Sequence, residues 1–582
     1  MSLSRASRFI APLAALLSPL AAQDLRTLAP QPPPPAPGGD SPAVIATPPA
    51  ENPPAPANSP TDATGPVLLG VVLLDDPTLL RAEGLASPAP GIDSSAVAWL
   101  DPEAARRVLS PVLGQPLDTA GLLRLRRALT ELLLAQGQGF ARAGIPVQEM
   151  KGGVLQVVVT RGRVGEIRAE GAKRWSAASY VSEIRLQPGA PLDPAALGED
   201  IDWLNRNPFR TVRARLLPGA EPGSTDIIVQ PEERRPWRVY TGYDNTGNTS
   251  TDRDRVFAGL NWGAPFGRAD QFSYQFTSDP EAAHLRSHSA SYTLGLPWRH
   301  NLVLSAAHAD IEARLPAPLD QEGSSTAFSA RYSVPLAPVG AWTPRVAFGA
   351  DYKRSDNNLL FAAIPVTDNL TEIVQAVAEA GLSRVDRLGY TDLGLAVHVS
   401  PGELAARNDD DAFGPSRAGA EASYTYATLD LTRVTRLSAP LAWRSTTRAQ
   451  LSSTNLLGSE QLAFGGATSL RGYEEGEVYA DEGLIWVNEL ELAPRPLLAP
   501  LGIKGVVDRV SPRVFADAGW ARIHDPLPGE TANINLLSAG VGLRYTIGDH
   551  FTLDADYGWQ LEDSGLGSPD NHRGHVRATL SW

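Results

Sequence analysis

Residues 551–560 read FTLDADYGWQ. Phe551, Leu553, Ala555, Tyr557 and Trp559 fall on one side of an extended chain, and Thr552, Asp554, Asp556, Gly558 and Gln560 on the other. Successive side chains of a strand point to opposite faces, so this is a strand with one apolar and one polar, charged face. The same period recurs upstream. Val346, Phe348, Ala350 and Tyr352 oppose Arg345, Ala347, Gly349, Asp351 and Lys353; Val541, Leu543, Tyr545 and Ile547 oppose Gly542, Arg544 and Thr546. Ala290, Tyr292, Leu294, Leu296 and Trp298 oppose Ser289, Ser291, Thr293 and Gly295. One apolar face is also what a soluble sandwich shows. Three features favour a membrane: charges on the polar face, aromatics at strand ends, and alternating segments of about 10 residues, the length of a tilted spanning strand. We count 16 candidate strands after Trp237, and 347 residues from Pro236 onward give 347/16, about 22 per strand and connection. Residues 236–582 are therefore expected to form an all-β, 16-stranded antiparallel transmembrane barrel. An even number brings both ends to the same side.

Upstream the period changes. Val67 to Asp76 reads as a strand. Asp101-Pro102-Glu103 opens a helix, with Asp101 as N-cap, that stops at Gly114. Thr119 caps a second helix whose Leu122, Leu125, Leu129, Leu132 and Leu133 keep helical spacing. Strands at Phe140–Gln148 and Val154–Thr160 complete the unit, while Asp76 to Ala98 reads as long and irregular. The order then repeats: strand 164–170, helix 176–184, helix 194–205 broken at Asn207-Pro208, strands 211–217 and 226–230. Two copies of one strand–helix–helix–strand–strand unit are an internal repeat. We place α+β modules at 67–162 and 163–235.

The first 23 residues combine Arg5 and Arg8 with an apolar run from Phe9 to Ala22, the layout of a secretory signal peptide. Residues 24–66 read as a linker: 14 of the 37 residues from Pro30 to Pro66 are proline, which suits an extended spacer. The formal net charge of −14 argues against a general nucleic-acid binder. The absence of Cys removes disulfides, thiolate metal sites and a Cys nucleophile. No P-loop, HExxH or GxSxG occurs, so no cofactor, metal or catalytic set is expected, and we do not read an enzyme. Asp409-Asp410-Asp411 could bind a cation, but Ca²⁺ needs six or more placed oxygens and a solvated loop fits better. Asp244 to Asn248 reads as a turn.

One constellation stands out. Ser469-Leu470-Arg471-Gly472-Tyr473 lies in a Gly-rich, strand-poor stretch between Leu456 and Gly483. Phe515-Ala516-Asp517-Ala518-Gly519 lies on a later strand whose lipid face would be Val514, Ala516, Ala518 and Trp520. Phe515, Asp517 and Gly519 then point into the lumen. A carboxylate there needs a partner or water. Arg471, on a loop long enough to fold inward, is the candidate, since its planar fork pairs a carboxylate bidentately. Gly472 would permit the turn, and Gly519 would clear space for the loop backbone. The alternative reading is a purely structural interior ion pair.

These residues carry a resemblance. The LRGY loop, with Leu470 and Tyr473 flanking Arg471-Gly472, and the later F-x-D-x-G strand resemble the superfamily of outer-membrane transporters built from POTRA modules and a barrel. Two POTRA-like repeats before 16 strands look like its two-partner secretion branch, the exporters of filamentous haemagglutinin and haemolysin. Ile145-Pro146-Val147-Gln148 and Leu204-Asn205-Arg206-Asn207-Pro208 are further matches. The resemblance implies that Arg471 contacts Asp517 and holds the loop inside the pore. It implies a large exoprotein client, exported unfolded and driven by its folding outside. Client docking falls on the modules, with Pro146, Gln148, Asn205, Asn207 and Pro208 as candidates. It also implies an outer-membrane location, with the modules in the periplasm. The last strand, Val576, Ala578, Leu580 and Trp582 against Arg577, Thr579 and Ser581, resembles the signal read by the barrel-assembly machinery. Family members often begin with a helix that plugs the barrel; here residues 23–29 leave room for two turns at most. The alternative is an assembly factor that inserts other barrels.

Overall fold

A computed structural model describes residues 44–46 and 65–582, apart from 139, 222, 268, 315–318, 362–363, 504 and 567–569. The signal peptide and most of the linker lie outside the described residues. The chain divides into a unit ending at Arg235 and one beginning at Pro236.

The upstream unit holds two four-stranded sheets. Its elements are β1 (Val44–Ala46), β2 (Gly70–Leu74), β3 (Gly91–Ala96), α1 (Pro102–Leu109), α2 (Thr119–Ala135), β4 (Arg142–Gly144) and β5 (Val154–Thr160). There follow β6 (Arg163–Ala169), α3 (Ala177–Val181), α4 (Pro194–Asn205), β7 (Arg210–Pro218) and β8 (Ser224–Glu233). Asp101, Asp118, Ser176 and Asp193 cap the four helices through their side chains, satisfying amides that have no partner inside the helix. In the first sheet, ordered β3-β2-β5-β4, β2 runs parallel to β5, and β4 is antiparallel to β5 at the edge. The second sheet repeats this: β6 runs parallel to β8, and β7 is antiparallel to β8. Leu125, Leu129, Leu132 and Leu133 of α2 bury the face that the spacing indicated, against Val71, Leu73, Val157 and Val159.

Four expectations need correcting here. The second helix is capped by Asp118, which accepts from the Gly121 amide, and not by Thr119. The irregular stretch after Asp76 contains β3, parallel to β2, which polar Asp93, Ser94 and Ser95 disguised. The strand read over 140–148 shrinks to 142–144, because Pro146 has no amide to pair. Within the proline-rich linker, Val44–Ala46 adds as a strand parallel to Arg213–Arg215, so that segment is not all spacer.

The downstream unit is a closed barrel of 16 antiparallel strands. Trp237–Asp244 and His572–Ser581 pair to close it, with Tyr240 opposite Ser581 and Asp244 opposite Arg577. Trp582 and Val239 exchange backbone hydrogen bonds at the end of that seam. The strand Asp508–Arg522 alternates as read, with Val514 and Trp520 exposed and Phe515, Asp517 and Ala521 buried. Every wall strand satisfies its backbone groups sideways, and closure removes the edges that lipid would not tolerate. Among the described residues no helix is long and apolar enough to cross a membrane.

Candidate functional site

The strand Leu441–Ser452 ends at the barrel rim, and the next wall strand, Glu482–Leu492, begins 30 residues later. The chain between them folds inward. It carries a short hairpin, Leu462–Phe464 against Val478–Ala480, in a stretch whose sequence suggested no strand. Phe464, Leu470, Tyr473 and Val478 pack with Ile485, Ala521 and Leu536 of the wall, so the loop has a small apolar core of its own.

At its tip Arg471 meets Asp517. Arg471 Nε donates to Asp517 Oδ2 at 2.9 Å and Nη2 to Oδ1 at 2.8 Å, the bidentate fork. The Arg471 backbone amide also donates to Oδ2, at 3.2 Å. The Arg471 side chain is 3% exposed and that of Asp517 0%. The remaining Nη1 donates to Glu489, and the guanidinium lies 3.6 Å over the Phe515 ring. Arg513 extends the network, donating through Nε and Nη2 to Asp556 at 2.7 Å each. Asp554 accepts from Arg513 Nη1 at 3.4 Å, so four wall carboxylates face two guanidiniums.

The neighbours fit the tip by shape. Gly472 sits at φ +105°, where a Cβ is strained. Leu470 lies over Gly519: a Cβ there would stand 3.0 Å from both Leu470 methyl carbons. Gly519 therefore clears room for a side chain, not for the backbone as the sequence suggested. The backbone's close approach is at Gly558, where a Cβ would meet the Arg471 carbonyl carbon at 2.6 Å. The Tyr473 hydroxyl, buried, accepts from the Leu537 amide at 2.9 Å and donates to the Glu562 carbonyl at 2.6 Å. Gln560 Nε2 donates to the Gly472 carbonyl at 3.0 Å.

Sequence reasoning missed Glu489, Asp556, Gly558 and Gln560 as partners of the loop, and Arg513 as a partner of Asp556. Alternation already put Asp556, Gly558 and Gln560 on the lumen face; what was absent was the register that sets them beside Arg471.

The docking candidates scatter differently. Asn205 is buried: its side chain receives the Val212 amide at 2.6 Å and donates to the Val212 carbonyl at 3.0 Å. Asn207 is fully buried with its Oδ1 on the Phe209 amide, and Pro208 is buried beside it. These three shape the junction of α4 and β7, and no ligand-facing surface is left to them. Gln148 binds both the amide and the carbonyl of Gln156, at 2.8 and 2.7 Å, prolonging the sheet beyond β4. Pro146 is partly exposed, and the neighbouring Val147 is 97% exposed. The acidic run at 409–411 caps a short helix: Asp409 accepts from the Ala412 amide and Asp410 from the Ala422 amide. Asp244 accepts from the Thr246 amide, the expected turn. Among the described residues no His, Cys, Asp and Glu group could hold a metal.

Comparison with known proteins agrees with this architecture. A family model described as haemolysin secretion/activation protein ShlB/FhaC/HecB matches residues 223–545, and one described as POTRA domain, ShlB-type, matches residues 90–162. The outer membrane transporter CdiB-2 of Burkholderia pseudomallei is 22% identical, over 84% of this chain and 80% of its own length. The hemolysin transporter protein ShlB of Serratia marcescens is 31% identical over 36% of this chain and 37% of its own. Among solved structures, CdiB from Escherichia coli superposes with a TM-score of 0.73 at 20% identity, over 90% of this chain and 93% of that one. CdiB from Acinetobacter baumannii gives 0.62 at 18% identity, over 97% of this chain and 99% of that one. These two likenesses are likenesses of fold.

Proposed function

This chain belongs to the haemolysin secretion/activation protein family ShlB/FhaC/HecB, and from that membership we propose how its loop, wall and periplasmic modules divide the work of secretion. It is an outer-membrane transporter of two-partner secretion, with POTRA modules in the periplasm and a large exoprotein as partner. The family is one of secretion channels, and the reading assigns no catalytic residue.

The finer assignments are ours. The module regions are 67–162 and 163–235. The exoprotein arrives unfolded and adds as a strand at the β4 edge of the first sheet, where, among the described residues, the outer side of Arg142–Gly144 has no strand partner and Val147 is exposed. It then crosses the barrel, whose lumen is lined with paired charges suited to many weak contacts. Leu470, Arg471, Gly472 and Tyr473 hold the loop in the lumen against Phe515, Asp517 and Gly519. The observation that carries this is the bidentate Arg471–Asp517 pair, buried at the tip of an inward loop. Insertion of the barrel itself is handed to the assembly machinery through the strand ending at Trp582.

The test is a comparison of secretome and outer-membrane proteome between a gene deletion and its parent. Loss of one large protein from the surface or medium, other barrels unchanged, is the expected outcome. A general fall in outer-membrane barrels would replace this reading with that of an assembly factor.

A further inference from the structure

The inward loop carries acids besides Arg471, among them Glu460, Glu474, Glu477 and Asp481. Glu460 lies on its descending arm, eight residues past the end of the strand Leu441–Ser452. Its side chain is 0% exposed, yet four donors surround the carboxylate. Oε1 accepts from Lys353 Nζ at 2.6 Å and from Ser459 Oγ at 2.9 Å. Oε2 accepts from the Tyr426 hydroxyl at 2.8 Å and from Gln375 Nε2 at 3.1 Å. Lys353, Gln375 and Tyr426 stand on the wall strands Thr343–Phe361, Ile364–Asp386 and Ser423–Ser438. Asp517 stands on Asp508–Arg522, a different arc of the barrel.

The wall residues of the pocket also bond to one another. Tyr424 donates to Gln375 Oε1 at 2.9 Å. Gln375 Nε2 also reaches Asp351 at 3.1 Å, which Arg331 clamps at 2.7 and 3.0 Å. His398 stacks on Tyr426, centroids 4.3 Å apart. All these groups belong to the wall; the one acid supplied by the loop is Glu460. A buried carboxylate is tolerated because it is paired and hydrogen-bonded on every side. The loop's other buried acid at this end, Asp481, abuts the wall strand and ties the loop's feet through the Leu456 amide and Arg417, so a swing of the loop need not break it. Moving Glu460 does break the three bonds it accepts from the wall, from Lys353, Gln375 and Tyr426.

We infer that Glu460 and Lys353 form a second latch that, with Arg471 and Asp517, sets how often the loop leaves the pore. The two latches have opposite polarity: the loop presents a cation to one arc and an anion to another. Withdrawal of the loop must undo both, so weakening either shifts the balance toward the open pore. Glu460 and Lys353 act as positioning residues. This rests on the loop closing the pore, but its readout is conductance, so failure of export and failure of the latch are separable.

The test uses the purified full-length protein in planar lipid bilayers, with heat-modifiable migration as the check on folding. Lys353→Met strands a fully buried carboxylate, whereas Glu460→Gln leaves a Lys that is 27% exposed and can reach water. The open fraction should therefore rise about fivefold or more in Lys353→Met, the scale of ordinary coupling between sites. It should rise less in Glu460→Gln. The double variant removes both charges and should fall back below Lys353→Met. A folded Lys353→Met barrel with parental conductance overturns the latch, as does a double variant more open than Lys353→Met. If Lys353→Met does not fold, Glu460→Gln carries the test: a rise supports the latch and parental behaviour overturns it. Loss of folding in both variants overturns it too, because the pair would then belong to the wall's own structure.

Discussion

Arg471 spends its whole donor fork on the wall: Asp517 takes Nε and Nη2, and Glu489 takes Nη1. Removing one partner of such a pair leaves a desolvated charge and costs roughly 3–5 kcal/mol, whereas losing an exposed pair costs about 1 or less. Arg471→Ala should therefore free the loop tip, abolish export and still leave a barrel that inserts. Client in the medium, measured beside heat-modifiable barrel in the membrane, checks this; parental export would reduce the pair to a structural one. Arg471→Lys should rescue little, since an ammonium cannot reproduce the fork or lie flat on Phe515. A second prediction needs no charge. Gly558→Val places carbon within the space of the Arg471 carbonyl, 2.6 Å from a built Cβ. Overpacking of this kind costs roughly 1–3 kcal/mol. The variant should raise single-channel open time as the loop is pushed off, with little change in the amount of barrel inserted.

Elements explain which of these features a reader of the sequence could find. Period-two alternation is local, so the lumen face of Asp508–Arg522, and with it Asp517, was legible from the strand alone. Arg471 was legible as its partner because a Gly-rich loop with one arginine offers few other candidates. Glu489, Asp556 and Gly558 also sit on lumen faces, but their relation to the loop depends on register through three pairings of four wall strands, which no single strand encodes. Asn205 and Asn207 show the converse failure: a motif was legible, yet their side chains close the α4–β7 turn and stay buried. β3 was illegible because its burial is partial and its residues polar. The docking edge proposed here is that of β4. Val147 touches little there, so Val147→Asp should leave the melting of the periplasmic unit within about 0.5 kcal/mol. It should weaken capture of an extended client segment about tenfold if that side chain seats the strand. Thermal melting reads the first effect and titration of client peptide against the full-length transporter the second; undiminished affinity would remove this edge from the route.

At the scale of the whole molecule, the unit ending at Arg235 and the barrel from Pro236 each hold their own cores. The barrel's closure, Trp237–Asp244 against His572–Ser581, uses no residue upstream of Trp237. Neither do the hydrogen bonds that fix Arg471 and Glu460 in the lumen. Removing residues 67–160 should thus delete a docking surface without touching the wall or its loop. The expected outcome is a split: the shortened protein inserts, migrates as a heat-modifiable barrel and conducts in bilayers with parental amplitude and open fraction, while export of the client falls to background. A porin would show no such split, because passive flow does not need the modules. Export at parental level would refute capture by the first module and move the docking site to the second, whose edge strand β6 runs parallel to β8. Loss of the barrel from the membrane would refute the independence of the two units, and conductance and export would then fall together.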